Sequence, residues 1–287
     1  MGLSGIKEIV EDCYEGGQHW YQSFRKVFPL VTTAGYAFDL SMATGNPRPN
    51  YYTGDPKESK AFTGAYGIWH GGDVSPAEKY IHKIQVYSPT LAFINCAFVL
   101  CDYLLFYPLV DGDDLSDIQE FTNPVPLPRY TTGDGVKAML VATNPYTGSA
   151  QFYITYTNQN GVSGRKSKLQ FVNALGTIGT IVTSTINSTR YGGGPFIQLE
   201  EPSDGIRSVE SITFLSGASG LYSLVLVKPL AEVYGREVLA PAEWDLFKDC
   251  GGKLPKVFDG AYLNFIARPN GNITGTYIQG DITFIWN

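Results

Sequence analysis

Charge is scarce in this chain. Charged residues fill 17% of its 287 positions, against roughly 25% in an average soluble domain, so Ser, Thr, Asn, Gln and Gly must cover much of the surface. That balance suits a turn-rich β protein, and one that buries surface against neighbouring subunits. The net charge is -6, and no run of Lys and Arg occurs. A phosphate-binding surface needs clustered cations to release counterions, so nucleic acid is not an expected partner. The densest basic stretch, Arg165, Lys166 and Lys168, follows a turn at Asn160-Gly161 and Gly164 and reads as a solvated hairpin end.

Cysteine and histidine are few as well. Cys13, Cys96, Cys101 and Cys250 are scattered and form no C-x-x-C, which excludes a disulfide framework and leaves buried thiols as the expectation. On one continuous strand Cys96 and Cys101 would point to opposite faces. The three histidines, His19, His70 and His82, fall in no zinc-binding spacing. The opening Met1-Gly2-Leu3-Ser4-Gly5-Ile6 has neither the regions of a secretory signal nor Ser or Thr at the sixth position of a myristoylation signal, so a start in the cytoplasm is expected. The largely apolar stretch Leu91 to Val110 is about long enough to span a bilayer. Asn95, Asp102 and Pro108 interrupt it, and Pro89 precedes it. It reads as one or two buried strands, with no membrane partner.

What is present is β pattern. One helix is expected near the start, where Ile6, Ile9, Val10, Cys13 and Tyr14 recur at helical spacing, with Ser4 as cap and Gly16-Gly17 as stop. Its apolar stripe must bury against its own subunit or dock as an arm on a neighbour. Residues 29 to 75 read as extended, loop-dominated chain with a strand-like alternation at Tyr36 to Met42. Ser75-Pro76-Ala77-Glu78 reads as the capping box of a second short helix.

From Val125 to Leu230 short β-branched and aromatic runs recur between turns. Strands are expected at Val136 to Thr143, Gln151 to Thr157, Lys168 to Val172, Thr177 to Thr183, Phe196 to Leu199, Val209 to Leu215 and Leu221 to Val227. Two pairs read as hairpins. One turns at Asn158-Gln159-Asn160-Gly161, and the other turns through Ser216-Gly217-Ala218-Ser219-Gly220 into Leu221. Further strands are expected at Tyr262 to Ala267 and at Tyr277 to Trp286, the latter built into a sheet or an interface. The expected class is all-β, a β-sandwich of jelly-roll type with a short N-terminal helix and long loop-rich extensions. Three regions follow: residues 1–124, a loop-rich β region with one helix; 125–230, the sandwich; and 231–287, an extension ending in a strand and packing with the N-terminal region.

No motif carries chemistry, so no catalytic, cofactor-binding or metal residue is assigned. Tyr66-Gly67-Ile68-Trp69-His70-Gly71-Gly72-Asp73 is either a ligand-exposing turn or a tight aromatic one. Gly217-Ala218-Ser219-Gly220-Leu221 lacks the last glycine of a nucleophile elbow. The acidic run Asp111-Gly112-Asp113-Asp114-Leu115-Ser116-Asp117 fails the EF-hand template, with Leu115 at the third ligand position and Thr122 where a bidentate Glu belongs. Asn187-Ser188-Thr189 and Asn272-Ile273-Thr274 match the glycosylation pattern, which counts only in a secreted chain.

Several stretches carry a resemblance. They are Gly5-Ile6-Lys7-Glu8-Ile9-Val10-Glu11-Asp12-Cys13-Tyr14-Glu15-Gly16-Gly17 with His19-Trp20, Trp69-His70-Gly71-Gly72, Leu127-Pro128-Arg129-Tyr130, Tyr156-Thr157-Asn158-Gln159-Asn160-Gly161-Val162-Ser163-Gly164-Arg165, Leu226-Val227-Lys228-Pro229-Leu230 and Ile285-Trp286-Asn287. Through them most of the chain resembles virion structural proteins of tailed bacteriophages, of the head-associated kind. The resemblance implies a structural component of the virion, assembled in the host cytoplasm, and brings no catalytic residues with it. The expected function is that of a capsid decoration or cement protein, a homo-oligomer that stabilises the head by binding other virion proteins, the major capsid protein first among them. The alternative is a module at the virion surface or tail that recognises host glycans through Trp69, Tyr51 and Tyr52.

Overall fold

The computed structural model describes residues 3, 5–28, 35–115, 118–172, 175–182, 194–217, 219–249, 251, 253–271, 273 and 275–287. Among these the strands in chain order are β1 His19–Val27, β2 Ala37–Asp39, β3 Thr44–Asn46, β4 Lys60–Ala61, β5 Lys79–Tyr87, β6 Ala97–Asp111 and β7 Gln119–Glu120. Then come β8 Lys137–Ala142, β9 Tyr146–Thr147, β10 Gln151–Asn158, β11 Arg165–Lys166, β12 Gln170–Phe171, β13 Leu175–Gly176 and β14 Thr180–Ile181. The series ends with β15 Ile206–Phe214, β16 Leu221–Tyr234, β17 Ala242–Asp245, β18 Lys256–Val257, β19 Leu263–Arg268 and β20 Tyr277–Trp286. The named strands pair antiparallel, and the chain is all-β.

At the centre β16, β8, β14, β2, β19 and β6 follow one another, and β16 pairs again with β6, so these six strands close into a barrel with β4 on its rim. Side-chain alternation sorts the residues of β6 to the two sides of that wall. Val99, Cys101, Tyr103 and Phe106 point inward with Val225, Val227, Met139 and Ile266. Phe98 and Leu100 point outward to one core, and Leu105 and Tyr107 point outward to another. A bulge where Leu226 opposes Leu105 and Val227 opposes Tyr103 keeps both halves in phase. Cys96 and Cys101 end on opposite sides of the wall, as their spacing requires.

Two sheets stack on the outside of the barrel, each making a sandwich-type core with it. The sheet β11-β10-β15-β7, with β12 also on β10, packs Phe152, Ile154, Ile212 and Phe214 against Leu105, Tyr107, Leu224 and Leu226. The sheet β17-β5-β20-β1-β3, with β18 also on β5, packs Ile84, Ile282, Phe284 and Phe24 against Phe98, Leu100 and Phe265. Asp102 leaves the barrel wall between the two cores. Both its oxygens accept hydrogen bonds from Arg129, Nε to Oδ2 and Nη2 to Oδ1, each 2.8 Å, and Oδ1 also accepts from the Tyr262 N–H at 3.1 Å. Arg129 Nη2 donates as well to the Tyr103 carbonyl at 3.0 Å. This buried pair ties residues 126–130 to the barrel at the seam of the two halves.

Three elements differ from the sequence reading. The expected helix at Ser75 is a turn closed by the Ala77 N–H on the Val74 carbonyl. The chain must already be extended at Lys79, because β5 pairs with β20 from there to Tyr87. Ile212-Phe214 and Leu221-Val227 are not hairpin partners, since β15 belongs to an outer sheet and β16 to the barrel. Phe196 to Leu199 form no strand, although Ile197 is buried. The first hairpin forms as read, with Tyr156 opposite Arg165 and Thr155 opposite Lys166. The helix cap expected at Ser4, the end of the Thr177 to Thr183 strand, and Cys250 lie outside the described residues.

Candidate functional site

The N-terminal helix runs through Ile6–Glu8 and continues as a wider turn over Ile9–Glu15. It stops at Gly16, whose N–H donates to the Glu11 carbonyl, and a Cβ there would sit 2.2 Å from the Asp12 oxygen. The helix folds onto its own subunit. Ile9 and Cys13 pack on Ile285 of the outer sheet, and the Cys13 thiol donates to the Trp286 carbonyl at 3.4 Å. Burial, followed by Asp12, pushes that thiol up to about 11, so it stays protonated at neutral pH. The opposite stripe remains in solvent, with Ile6 64% and Val10 44% exposed.

Between this stripe and the sheet lies a groove of about 700 Å³, into which Tyr21, Tyr14, His82, Asp245 and Phe247 also project. Tyr14 Oη and His82 Nδ1 are 2.6 Å apart, and His82 Nε2 faces Asp245 Oδ1 at 3.6 Å. A carboxylate on that side favours the proton on Nε2, so Nδ1 accepts from the phenol. Burial, with Lys83 adding to it, lowers the His82 pKa against the pull of Asp245 and Glu243, and burial raises Tyr14 to about 12. A neutral imidazole beside a phenol that keeps its proton is a packed hydrogen-bonded pair, with no nucleophile activated. His19 completes the cluster by donating from Nδ1 to the Cys13 carbonyl at 2.9 Å and packing on Tyr14 and Tyr21. Nothing local in sequence joins Tyr14, His82 and Asp245, because three separate elements bring them together.

His70, the histidine of the aromatic turn, is buried and serves the turn itself. Lys79 Nζ donates to the His70 carbonyl at 2.6 Å and to the Gly72 carbonyl, and it approaches His70 Nδ1 at 3.2 Å. Burial first and Lys79 second lower His70 to about 4. Gly71 and Gly72 both take positive φ, and the Trp20 ring occupies the space a side chain at Gly71 would need. Trp69, in contrast to buried His70, faces solvent, 51% exposed.

The three aromatics proposed for glycan stacking do not share a surface. Tyr52 lies inside the barrel and donates to Asp39 Oδ2, while Tyr103 donates to Oδ1 at 2.7 Å and Ser41 N donates to Oδ1 at 2.8 Å. Burial raises the Asp39 pKa, and these three donors oppose the rise. Tyr51 sits in a recess beside Leu109 that Tyr52 also borders, and Trp69 lines another groove with Gln22, Asn46 and Arg48. Of the remaining sequence candidates, Ser219 is a turn residue whose hydroxyl bonds the Thr147 backbone in both directions. Arg165 donates to the Glu201 carbonyl at 2.7 Å, and Lys166 lies over Tyr153. In the acidic run Asp111 accepts from the Asp113 N–H, while Ser116, Asp117, Asn187-Ser188-Thr189, Asn272 and Thr274 lie outside the described residues. Among the described residues no three His, Cys, Asp or Glu gather as metal ligands, and no helix is long and apolar enough to cross a membrane.

No protein family and no curated protein matches this chain. Among solved structures it is similar to a chain of infectious bursal disease virus, Gt strain, with 10% identity, 94% of this chain and 81% of that one covered, and a TM-score of 0.17. For the Gx strain of that virus the identity is 11%, the coverages 94% and 81%, and the TM-score 0.16. Likenesses this low carry no argument about fold or function.

Proposed function

We propose that this chain is a structural component of a bacteriophage particle, a capsid decoration protein that stabilises the head by binding neighbours and performs no catalysis. The observation that carries the reading is the two-sided N-terminal helix. One stripe, Ile9 and Cys13, is spent on its own sheet, and the other, Ile6 and Val10, borders a groove with Tyr21 and Phe247. Exposed apolar and aromatic side chains around a recess are the composition of an interface core. The partners are other virion proteins, the major capsid protein first, and further copies of this chain. The test is cosedimentation of the purified protein with particles stripped of it. Wild-type protein should pellet with the particles, and Val10→Asp should weaken binding at least tenfold with the thermal melt unchanged. Failure of the wild type to pellet, or equal binding by Val10→Asp, contradicts the reading.

A second reading, recognition of a host glycan at the particle surface, is favoured by one observation: the exposed Trp69 lines a groove together with Asn46 and Arg48.

A further inference from the structure

The groove at Trp69 is built from rigid parts. It holds about 520 Å³ between the β1–β3 edge and residues 64–69. One wall is the segment around Asn46 and Arg48, anchored from beneath by buried Lys26, whose Nζ donates to the Ala43 and Pro47 carbonyls at 3.0 and 2.8 Å. The other wall is Trp69. Its ring stacks on buried His70 with centroids 5.7 Å apart and planes 25° from parallel, so its orientation is fixed before any ligand arrives.

The charge in the groove is one-sided. Arg48 is its single charged residue, and the lining includes no carboxylate. The guanidinium lies over the Tyr66 ring, 4.1 Å from its centroid. Arg48 is exposed, and among the described residues no carboxylate pairs with it. Asn46 adds a side-chain amide, which donates to and accepts from hydroxyls, while the Gln22 amide accepts from Trp20 Nε1 and donates to the Ser23 carbonyl.

We propose that this groove binds one residue of an acidic polysaccharide, with the sugar ring stacked on Trp69 and its carboxylate held by Arg48. A preset indole face suits the C–H face of a pyranose, and the planar fork of arginine suits a carboxylate in two parallel hydrogen bonds. A free phosphate would leave Trp69 without a role, and a neutral sugar would leave the guanidinium without an acceptor. The inference rests on the glycan reading above and names its site and sugar class.

The experiment titrates the full chain at low ionic strength with trigalacturonate, trimannuronate and a hyaluronan tetrasaccharide, and with the carboxyl-reduced form of each, by calorimetry and by the indole N–H signals in NMR. At least one acidic oligosaccharide should bind with a Kd on the order of 1 mM or tighter, and its reduced form at least tenfold more weakly. Trp69→Ala should abolish binding of both forms. Arg48→Met, which keeps the aliphatic stem on Tyr66, should bring the acidic form down to the affinity of the reduced one, and Tyr51→Ala should change nothing. Equal binding of acidic and reduced forms, indifferent to Arg48→Met, overturns the acidic assignment and leaves the glycan reading standing. Absence of binding by every oligosaccharide, or binding indifferent to Trp69→Ala, overturns both.

Discussion

The two sheets packed on the barrel bury similar cores and differ in how the chain builds them. The sheet of β10, β11, β12, β15 and β7 comes from the one stretch of chain between Gln119 and Phe214, with the β10–β11 hairpin at its edge. The sheet of β1, β3, β5, β17 and β20 joins the two ends of the chain, and all nine residues of His19–Val27 pair with β20, His19 opposite Ile285. The first pairs strands within that one stretch, Phe152 opposite Phe214 and Ser211 opposite Glu120, and the second requires closing nearly the whole chain as a loop. The sheet of chain ends carries the helix stripe, both grooves described above, and the exposed Trp20, Tyr21 and Trp69. Exposed apolar side chains occur on both halves, Leu215 and Val162 among them beside the first sheet, and what sets the half assembled from distant segments apart is that its exposed Tyr21 and Trp69 border the two grooves.

The largest effect is expected at the seam. Arg129→Met strands Asp102 as an uncompensated buried charge, a loss of about 3–5 kcal/mol, and Asp102→Asn in the same chain should recover part of it. Urea melts of the two single variants and the double variant measure this. Wild-type stability in Arg129→Met would mean that the two halves are not joined through this pair. Next come Ile282→Ala in the sheet of chain ends and Ile154→Ala in the local sheet. Each deletes a buried side chain at about 2–5 kcal/mol. Because both cores lie on one barrel wall, each variant should shift a single shared transition, and a separate melt for either half would break the comparison.

A smaller effect separates the halves by pH. His70 is held neutral at about 4 in the fold, below the ordinary histidine value of about 6.5. The unfolded chain therefore binds the extra proton first as pH falls. The stability contributed by neutral His70 is complete above pH ~6.5 and is lost progressively down to pH ~4, on the order of 3 kcal/mol in all. Melting curves across that window should be steeper for wild type than for His70→Asn, and parallel curves would remove His70 from the account. The smallest effect belongs to Trp69→Ala. An exposed ring outside the cores should change stability by no more than about 0.5 kcal/mol, and a larger loss would make Trp69 a packing residue.

Much of the local half could be read from the sequence. Phe152, Ile154 and Tyr156 alternate toward a turn rich in Asn and Gly, and strand and hairpin form there as expected. The last strand, with Ile282 and Phe284 alternating, was also visible. For the other half the sequence suggests only that residues 231–287 pack with the N-terminal region; the strand partners are not legible, because the partner of His19 lies at the far end of the chain and periodicity carries no information about partners. The expected helix at Ser75 failed for the same reason. A plausible local cap was overridden by the extended pairing of Lys79 to Tyr87 with β20. The second expected hairpin does not form, because a short Gly-Ser turn looks alike in sequence whether it joins two strands of one sheet or strands of different sheets. At the sites, Trp69 was singled out by its glycines, whereas Arg48, which lines the same groove, and Tyr14, His82 and Asp245, which meet beneath the helix, carry no local signal at all.

The central claim is that the half built from the chain ends presents the binding surface of a particle component. Cryo-electron microscopy of intact particles tests it most directly. The account predicts ordered copies of this chain on the head, with Ile6 and Val10 covered by a neighbouring subunit. Particles that hold no copies of the chain, or copies whose helix stripe faces open solvent, would contradict it.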